Sequence, residues 1–521
     1  MKWLFLVLLL CVCPFVGTSG AEDLYIAQTA TGGDTGVDCA NAHAVTFFNS
    51  AANWGGGAGE IDPGDTVHVC GTITCSAIQT DGLVTQAAGT SGNPITIKFE
   101  TGAVMTCGVW GTNDGTRATG GAIRINHDFI TVDGGTNGVI RNTANGQGLA
   151  NSVISAGVTY SSSNVEIKNL TIQDIWVKTP YSDVLVGATN GILGTNAPHS
   201  SILIHHNTID DGSDLITHIT ATTGSNSNIQ IYNNVLSRTC TGIVIASAGV
   251  NSVVDNVQVY GNEMFDGYVW WGPADECHIN GMHLFAAQSG TDITNLKVYN
   301  NYAHSNMSTG CGVANCYTHV TAFIFIEGTG GGTITAPKIF NNLLVAASGD
   351  GASNGLLYCG LCTNPEIYNN TILGQVADGI VFDATGIVLR NNIISNFDHM
   401  IYAPGSSTVS ASNNNLFNAF VNGWTVGGTT YGTFAAWQGA GFDASGLSAA
   451  PDLNATTFKP NSGSPTINAG ANLTSLGITA LNSDKAGVAR PSSGAWEIGA
   501  YEFLLGTQGG VTFGIGWRRP R

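Results

Sequence analysis

The chain has 521 residues, of which 43% are hydrophobic, only 10% are charged and 70 are glycine. That balance excludes ordinary disorder and suits many short strands joined by tight corners. With 35 acidic against 17 basic side chains and a net charge of −18, the surface repels nucleic acid and anionic membranes and disfavours an anionic polymer as partner.

Residues 1–21 have the pattern of a secretory signal: Lys2, an apolar run from residue 4 to 12, and the small residues Ser19-Gly20-Ala21 before a cleavage point. The run is too short to span a bilayer and no later stretch is long enough, so a secreted chain without a membrane span is expected. Its removal leaves ten of the twelve cysteines. An even number in an exported chain points to disulfides. Cys311 with Cys316 and Cys359 with Cys362 would staple loops, while Cys39, Cys70, Cys75, Cys107, Cys240 and Cys277 would pair between more distant segments. Cys359-Gly-Leu-Cys362 has redox spacing, but no helical pattern follows to lower a thiol pKa.

Residues 22–128 read as the opening of one elongated domain. Residues 24–27 form a strand pattern, and residues 39–49 have helical spacing through Ala42, Val45, Phe47 and Phe48, which suits an N-terminal helical cap over the first open coil. Residues 66–70 and 95–99 alternate as half-buried strands.

Residues 129–470 repeat one unit. Its plainest copy is Glu366-Ile367-Tyr368-Asn369-Asn370-Thr371-Ile372-Leu373: a strand, a corner at the Asn pair, then a second strand. Ile231-Tyr232-Asn233-Asn234-Val235-Leu236 and Ile339-Phe340-Asn341-Asn342-Leu343-Leu344 are close copies. Equivalents of Asn370 fall at Leu170, Asn207, Asn234, Asn262, Asn301, Asn342, Asn392 and Asn414, with spacings between 22 and 41 residues. A third strand often opens with Gly, as in Gly242-Ile243-Val244-Ile245, Gly355-Leu356-Leu357-Tyr358 and Gly379-Ile380-Val381-Phe382. A minimum of 22 residues per turn is solenoid arithmetic, below the roughly 40–50 of a propeller blade. Stacked Asn side chains at one corner would hydrogen-bond from coil to coil.

The Asn-cornered coils resemble the right-handed parallel β-helix proteins of the pectate-lyase-like superfamily. The ending is also similar to that of many secreted members, through Ser464-Pro465-Thr466-Ile467-Asn468-Ala469-Gly470 and Glu497-Ile498-Gly499-Ala500-Tyr501-Glu502-Phe503. The resemblance implies an all-β fold, closed by residues 471–521, whose tail from residue 504 has no assignment. It does not choose an activity, because the superfamily includes lyases, hydrolases, epimerases, tailspikes and adhesins.

Function is therefore sought where the minimal coil is interrupted. The connections within residues 263–280 and 302–321 are long, arise at the same turn of successive coils, and would wall a cleft. The first carries Trp270, Trp271, Asp275, Glu276 and His278 and leads to Asn280 and His283; the second carries Tyr317 and His319, and its strand ends at Glu327. An offset of 41 residues sets Met282 on Phe323 and His278 on His319. Aromatic faces suit sugar rings, and His or carboxylate groups serve as general acid or base. His278, His283, His319, Asp275, Glu276 and Glu327 are thus the candidate catalytic residues; Trp270, Trp271, Tyr317 and Asn280 are the candidate substrate-binding residues. Residues 278–285 also resemble a His-x-Asp-Gly-Ile-His strand of some β-helix proteins, with Asn280 in place of its acid. The run His205, His206, Asp210, Asp211, Asp214 and His218 offers ligands for Ca²⁺ or a transition metal, although no cofactor is required by the sequence. Lys168 and Arg238 are alternative bases for an eliminating lyase. The expectation is a secreted, monomeric glycan-binding protein that hydrolyses or eliminates a polysaccharide, with a non-catalytic adhesin or glycan-binding protein as the alternative.

Overall fold

The structure, a computed structural model, describes residues 20–75, 77–114, 118–149, 153–177, 189–194, 198–267, 279–305, 307, 319–347, 351–352 and 354–504. The side chains of residues 319–321, 351–352 and 375–377 are outside that description.

The repeating units wind into a right-handed parallel β-helix with three sheets. The first sheet holds the strands that precede the Asn corner, such as Ile202–His205, Lys338–Phe340 and Glu366–Tyr368. The second begins directly after the corner, as in Glu263–Gly267 and Tyr302–His304. The third contains Ile279–Ala286, His319–Gly328 and Leu357–Thr363. Pairing is in register and parallel between equivalent strands of consecutive coils. Buried Ile167, Ile204, Ile231, Val259, Val298, Ile339 and Ile367 therefore stack as one apolar column inside the first sheet. Each contributes roughly 1.5–3 kcal/mol by leaving water.

Two adjacent columns make the corner. The first residue of each Asn pair adopts the left-handed conformation: Asn233 has φ 53°, Asn300 56°, Asn341 54° and Asn369 49°. Asn tolerates that region better than other side-chain-bearing residues. The second residue turns inward as a ladder. Nδ2 of Asn301 donates to Oδ1 of Asn342 at 3.0 Å, Asn342 to Asn370 at 2.9 Å and Asn370 to Asn392 at 3.0 Å. The ladder continues to Asn415 rather than Asn414, which instead occupies the left-handed site at φ 57°. It ends on Asp443, whose Oδ1 accepts from Asn415 Nδ2 at 2.9 Å.

At the N-terminal end, the expected helix is reduced to a 3-10 turn, Cys39–Asn41, and a single turn, Val45–Phe48. Val45-Thr46-Phe47 lacks the helix-favouring side chains that would extend it. Disulfides join Cys39 to Cys70, Cys75 to Cys107 and Cys359 to Cys362, and Cys240 is also disulfide-bonded. Cys277, Cys311 and Cys316 lie outside the described residues, as does the signal-like segment up to residue 19. At the other end, helix Phe434–Gly439 lays Trp437 on Trp424, with ring centroids 5.6 Å apart, and so covers the open core.

The C-terminal segment returns along the outside of the Asn corner. Asn414 Nδ2 donates to Ala469 O at 3.1 Å, Asn391 to Ala471 O at 2.8 Å and Asn369 to Glu497 O at 3.0 Å. Leu473, Leu481 and Trp496 cover the outward rings of Tyr299, Phe340 and Tyr368, the first two stacked 4.8 Å apart. Among the described residues, no helix is long and apolar enough to cross a membrane.

Candidate active site

In chain order the long connections all fall between a strand of the second sheet and one of the third, which directs attention to the outer face of the third sheet. Alternation along its strands puts Ile243, Met282, Ile324, Leu357 and Ile380 into the core. It turns Val244, His283, Phe325, Tyr358 and Val381 outward as one column, in register across successive coils. Two residues further along, Phe285, Glu327, Gly360 and Asp383 form a second outward column.

His283 and Glu327 are diagonal neighbours across these columns, and their Nε2 and Oε1 atoms are 3.0 Å apart. The imidazole is 4.5 Å from the Phe285 ring centroid and 4.8 Å from that of Phe325, which fixes its plane. Phe325 stacks on Tyr358 at 4.7 Å. A Cβ placed on Gly360 would lie 2.5 Å from the Tyr358 hydroxyl, so the tyrosine lies along its strand and covers the glycine. Gly360 pairs with Glu327 on one side and Asp383 on the other. The phenol therefore stands between two carboxylates. Burial, then the charges of Glu327 and Asp383, push its pKa upward and keep it a hydrogen-bond donor. Strand spacing separates the Glu327 and Asp383 backbones by about 9.6 Å, two rungs of the sheet. Glu327 is half-buried, whereas Asp383 is exposed.

A histidine beside a carboxylate does not by itself mark chemistry on this scaffold. His68 with Glu100, His205 with Glu166 and His304 with Glu263 make comparable pairs on the first and second sheets. His68 even meets two carboxylates, Asp23 and Glu100, so what differs at His283 is the aromatic donor Tyr358 lying over a glycine between the strands of two acids.

Of the expected site residues, the structure brings His283 and Glu327 together. Asn280 is fully buried, and its Oδ1 accepts from Ala322 N at 3.1 Å, so it ties adjacent coils. His319 begins its strand opposite Gly351. Trp270, Trp271, Asp275, Glu276, His278 and Tyr317 lie outside the described residues. The offset of 41 holds in the other strand pairs of these two coils, but in this one only at Ile279 with Val320; a bulge follows, and Met282 pairs with Ile324 rather than Phe323. One extra residue in the partner strand shifts the remainder by one. Sequence reasoning missed Tyr358 and Asp383. Carrying the in-out alternation of the Gly-led strands two residues beyond outward Val381 reaches Asp383.

The acidic and histidine run from 205 to 218 is dispersed by the fold. His205 faces outward on the first sheet, where its Nε2 is 3.0 Å from Glu166 Oε1. Asp210 pairs with Arg238, and Asp211 accepts from Asn145 Nδ2 at 2.9 Å. His218 points into the core, between the Tyr160 hydroxyl at 2.7 Å and Asn226 Nδ2 at 2.8 Å. Among the described residues, no group of three His, Cys, Asp or Glu side chains is placed to hold a metal. Lys168 Nζ donates to Glu166 Oε2 at 3.0 Å, and Arg238 is engaged by Asp210, so neither alternative base stands ready.

No family model matches the chain, and no curated protein matches it. Among solved structures it is similar to pectate lyase Pel9A, at 14% identity and a TM-score of 0.43, covering 94% of this chain and 98% of that one. It is also similar to XylC in complex with xylose, at 10% identity and a TM-score of 0.47, covering 92% and 98%. A third is the GH136 lacto-N-biosidase from Eubacterium ramulus, at 12% identity and a TM-score of 0.46, covering 78% and 67%.

Proposed function

We propose that the protein is a secreted carbohydrate-active enzyme that hydrolyses a polysaccharide on the outer face of its third sheet. The observation that carries this reading is the pair Glu327 and Asp383, two rungs apart across Gly360, with the Tyr358 phenol between them. Inverting glycosidases use carboxyl groups roughly 6.5–9.5 Å apart, with room for a water, whereas retaining ones need about 5–5.5 Å. The side chains of a two-rung pair reach the first range without distortion.

Glu327 is the base in this scheme. Its contact with His283 orients the carboxylate to take a proton from an attacking water. Asp383, on the other side of Gly360, is the acid in this scheme. Phe285 and Tyr358 supply the apolar surface for a sugar ring. The disulfides accord with an oxidising, extracellular setting.

The test is a panel of neutral and acidic polysaccharides, followed for new reducing ends and for the ultraviolet absorbance of an eliminated double bond. Hydrolysis with inversion at the anomeric carbon, read by proton NMR, is expected. A product carrying the double bond would move the protein to the lyases; binding of a polymer without cleavage would leave the glycan-binding alternative.

A further inference from the structure

A second pocket lies on a different side of the coil, where the C-terminal segment crosses the second sheet. It has a volume of about 300 Å³, and its walls include Tyr302, Leu343, Phe458, Lys459, Lys485 and Tyr501. That volume is at the lower end of the roughly 300–1,000 Å³ typical of small-molecule sites. Its charge is the opposite of the surface around it. The chain carries twice as many acidic as basic side chains, yet two lysines and no carboxylate line this cavity.

The two ammonium groups are under-used. Lys485 Nζ donates one hydrogen bond, to Asn300 O at 2.6 Å, and lies 5.8 Å from the Tyr302 ring centroid. An ammonium has three donors, so two remain for a ligand. Burial draws its pKa down to about 8 even though Glu263 and Asp484 oppose that shift. Lys459 Nζ lies 5.6 Å from the Tyr501 ring centroid, and among the described residues it has no hydrogen-bond or ion-pair partner. The loop that presents it is built with care. Asn454 Oδ1 accepts from the backbone N–H groups of Thr456 at 3.0 Å and Thr457 at 2.9 Å, and Asn454 N donates to Lys459 O at 2.8 Å. Phe458, at the wall, is held at φ 55°. A bulky side chain adopts that left-handed conformation at a cost on the order of 1–3 kcal/mol, and such strain clusters at ligand clamps.

We propose that this pocket binds the carboxylate of an acidic sugar residue, with Lys459 and Lys485 on the carboxylate and the rings of Tyr302, Phe458 and Tyr501 around the pyranose. Two cations select an anion, and three aromatic walls select a ring attached to it rather than a bare ion. The nature of the ligand rests on the glycan-active reading, but the site uses neither Glu327 nor Asp383. Catalysis and this binding are therefore separable: a polymer with occasional acidic residues is held here while its neutral stretch is cut on the third sheet.

The experiment is titration calorimetry of the full chain with sodium glucuronate, glucose and sodium sulfate, on wild type, K459M, K485M, F458A and E327Q. Glucuronate is expected to bind, with glucose undetectable and sulfate much weaker. K459M, on an exposed side chain whose loss should leave the fold intact, weakens glucuronate about tenfold to hundredfold, the loss of one charge-assisted hydrogen bond. F458A weakens glucuronate but leaves sulfate unchanged, and E327Q binds as wild type. Failure of glucuronate to bind overturns the proposal. So does equal binding of sulfate, or affinity unchanged in both K459M and F458A. Glucuronate binding that persists when no polysaccharide is hydrolysed would retain this site and reject the hydrolase reading alone.

Discussion

Replacing Asn342 by Ala removes the centre of the inner ladder, and its cost can be worked bond by bond. Asn342 Oδ1 accepts from Asn301 N at 3.1 Å and Asn301 Nδ2 at 3.0 Å. Its Nδ2 donates to Val298 O and Asn370 Oδ1, both at 2.9 Å. Asn301, Asn342 and Asn370 are all fully buried, so water cannot repair the gap. Asn370 Oδ1 keeps the N–H of residue 342, while two donors on Asn301 and the Val298 carbonyl lose a partner. At about 1–3 kcal/mol for each orphaned donor, Asn342→Ala should cost on the order of 2–6 kcal/mol. Asn207 provides the internal control. Among the described residues its Oδ1 accepts only from Leu170 N, at 3.0 Å, so Asn207→Ala orphans a single donor and should cost roughly 1–3 kcal/mol. Urea unfolding followed by tryptophan fluorescence measures both. A loss below about 1 kcal/mol for Asn342→Ala, or a larger loss for Asn207→Ala, would refute the view that the ladder is a cooperative stabilising element.

Other consequences concern buried charge. Arg490 is buried, pairs with Glu502 and donates to Asn341 Oδ1 at 2.9 Å; Arg490→Met strands that carboxylate and should cost about 3–5 kcal/mol, detected as earlier release of the C-terminal segment by limited proteolysis. Burial pushes Asp211 up from 3.8 to about 7, so the folded state binds the proton more tightly than the unfolded chain. Its stabilising contribution is complete below pH 3.8 and is lost as pH rises toward 7; Asp211→Asn should raise the melting temperature more at pH 8 than at pH 4. His218 behaves in the opposite sense. Burial lowers it from 6.5 to about 3, so stability falls as pH drops below 6.5, at up to about 1.4 kcal/mol per unit, and His218→Gln should flatten the acid limb of the melting curve.

The scaffold was legible because few residues satisfy its corner. A left-handed position followed by a buried amide that bridges coils selects Asn-Asn, and the spacing of those pairs counts the coils. The rule slipped only where Asn413-Asn414-Asn415 offered three candidates, and hydrogen bonding chose the last. The closing segment was recognisable by its motif, but its docking was not: Asn391 with Ala471 and Lys485 with Asn300 join residues 80 and 185 positions apart. At the candidate site, attention to the longest connections drew in His283 and Glu327 and passed over Asp383, which stands on a minimal coil. His218 shows the converse. In sequence it belongs to a polar run, yet strand alternation turns it inward to a tyrosine and an asparagine.

The most direct measurement is turnover of a cleaved polysaccharide by Glu327→Gln and Asp383→Asn, each checked for an unchanged melting temperature. Both lie on outward positions of regular strands, so the fold should persist. Each is expected to lower kcat by about 10²–10⁴-fold, the range for losing a general acid or base, with the double variant far short of the product of the two. Retention of near wild-type kcat by either variant would contradict the assignment of hydrolysis to this pair.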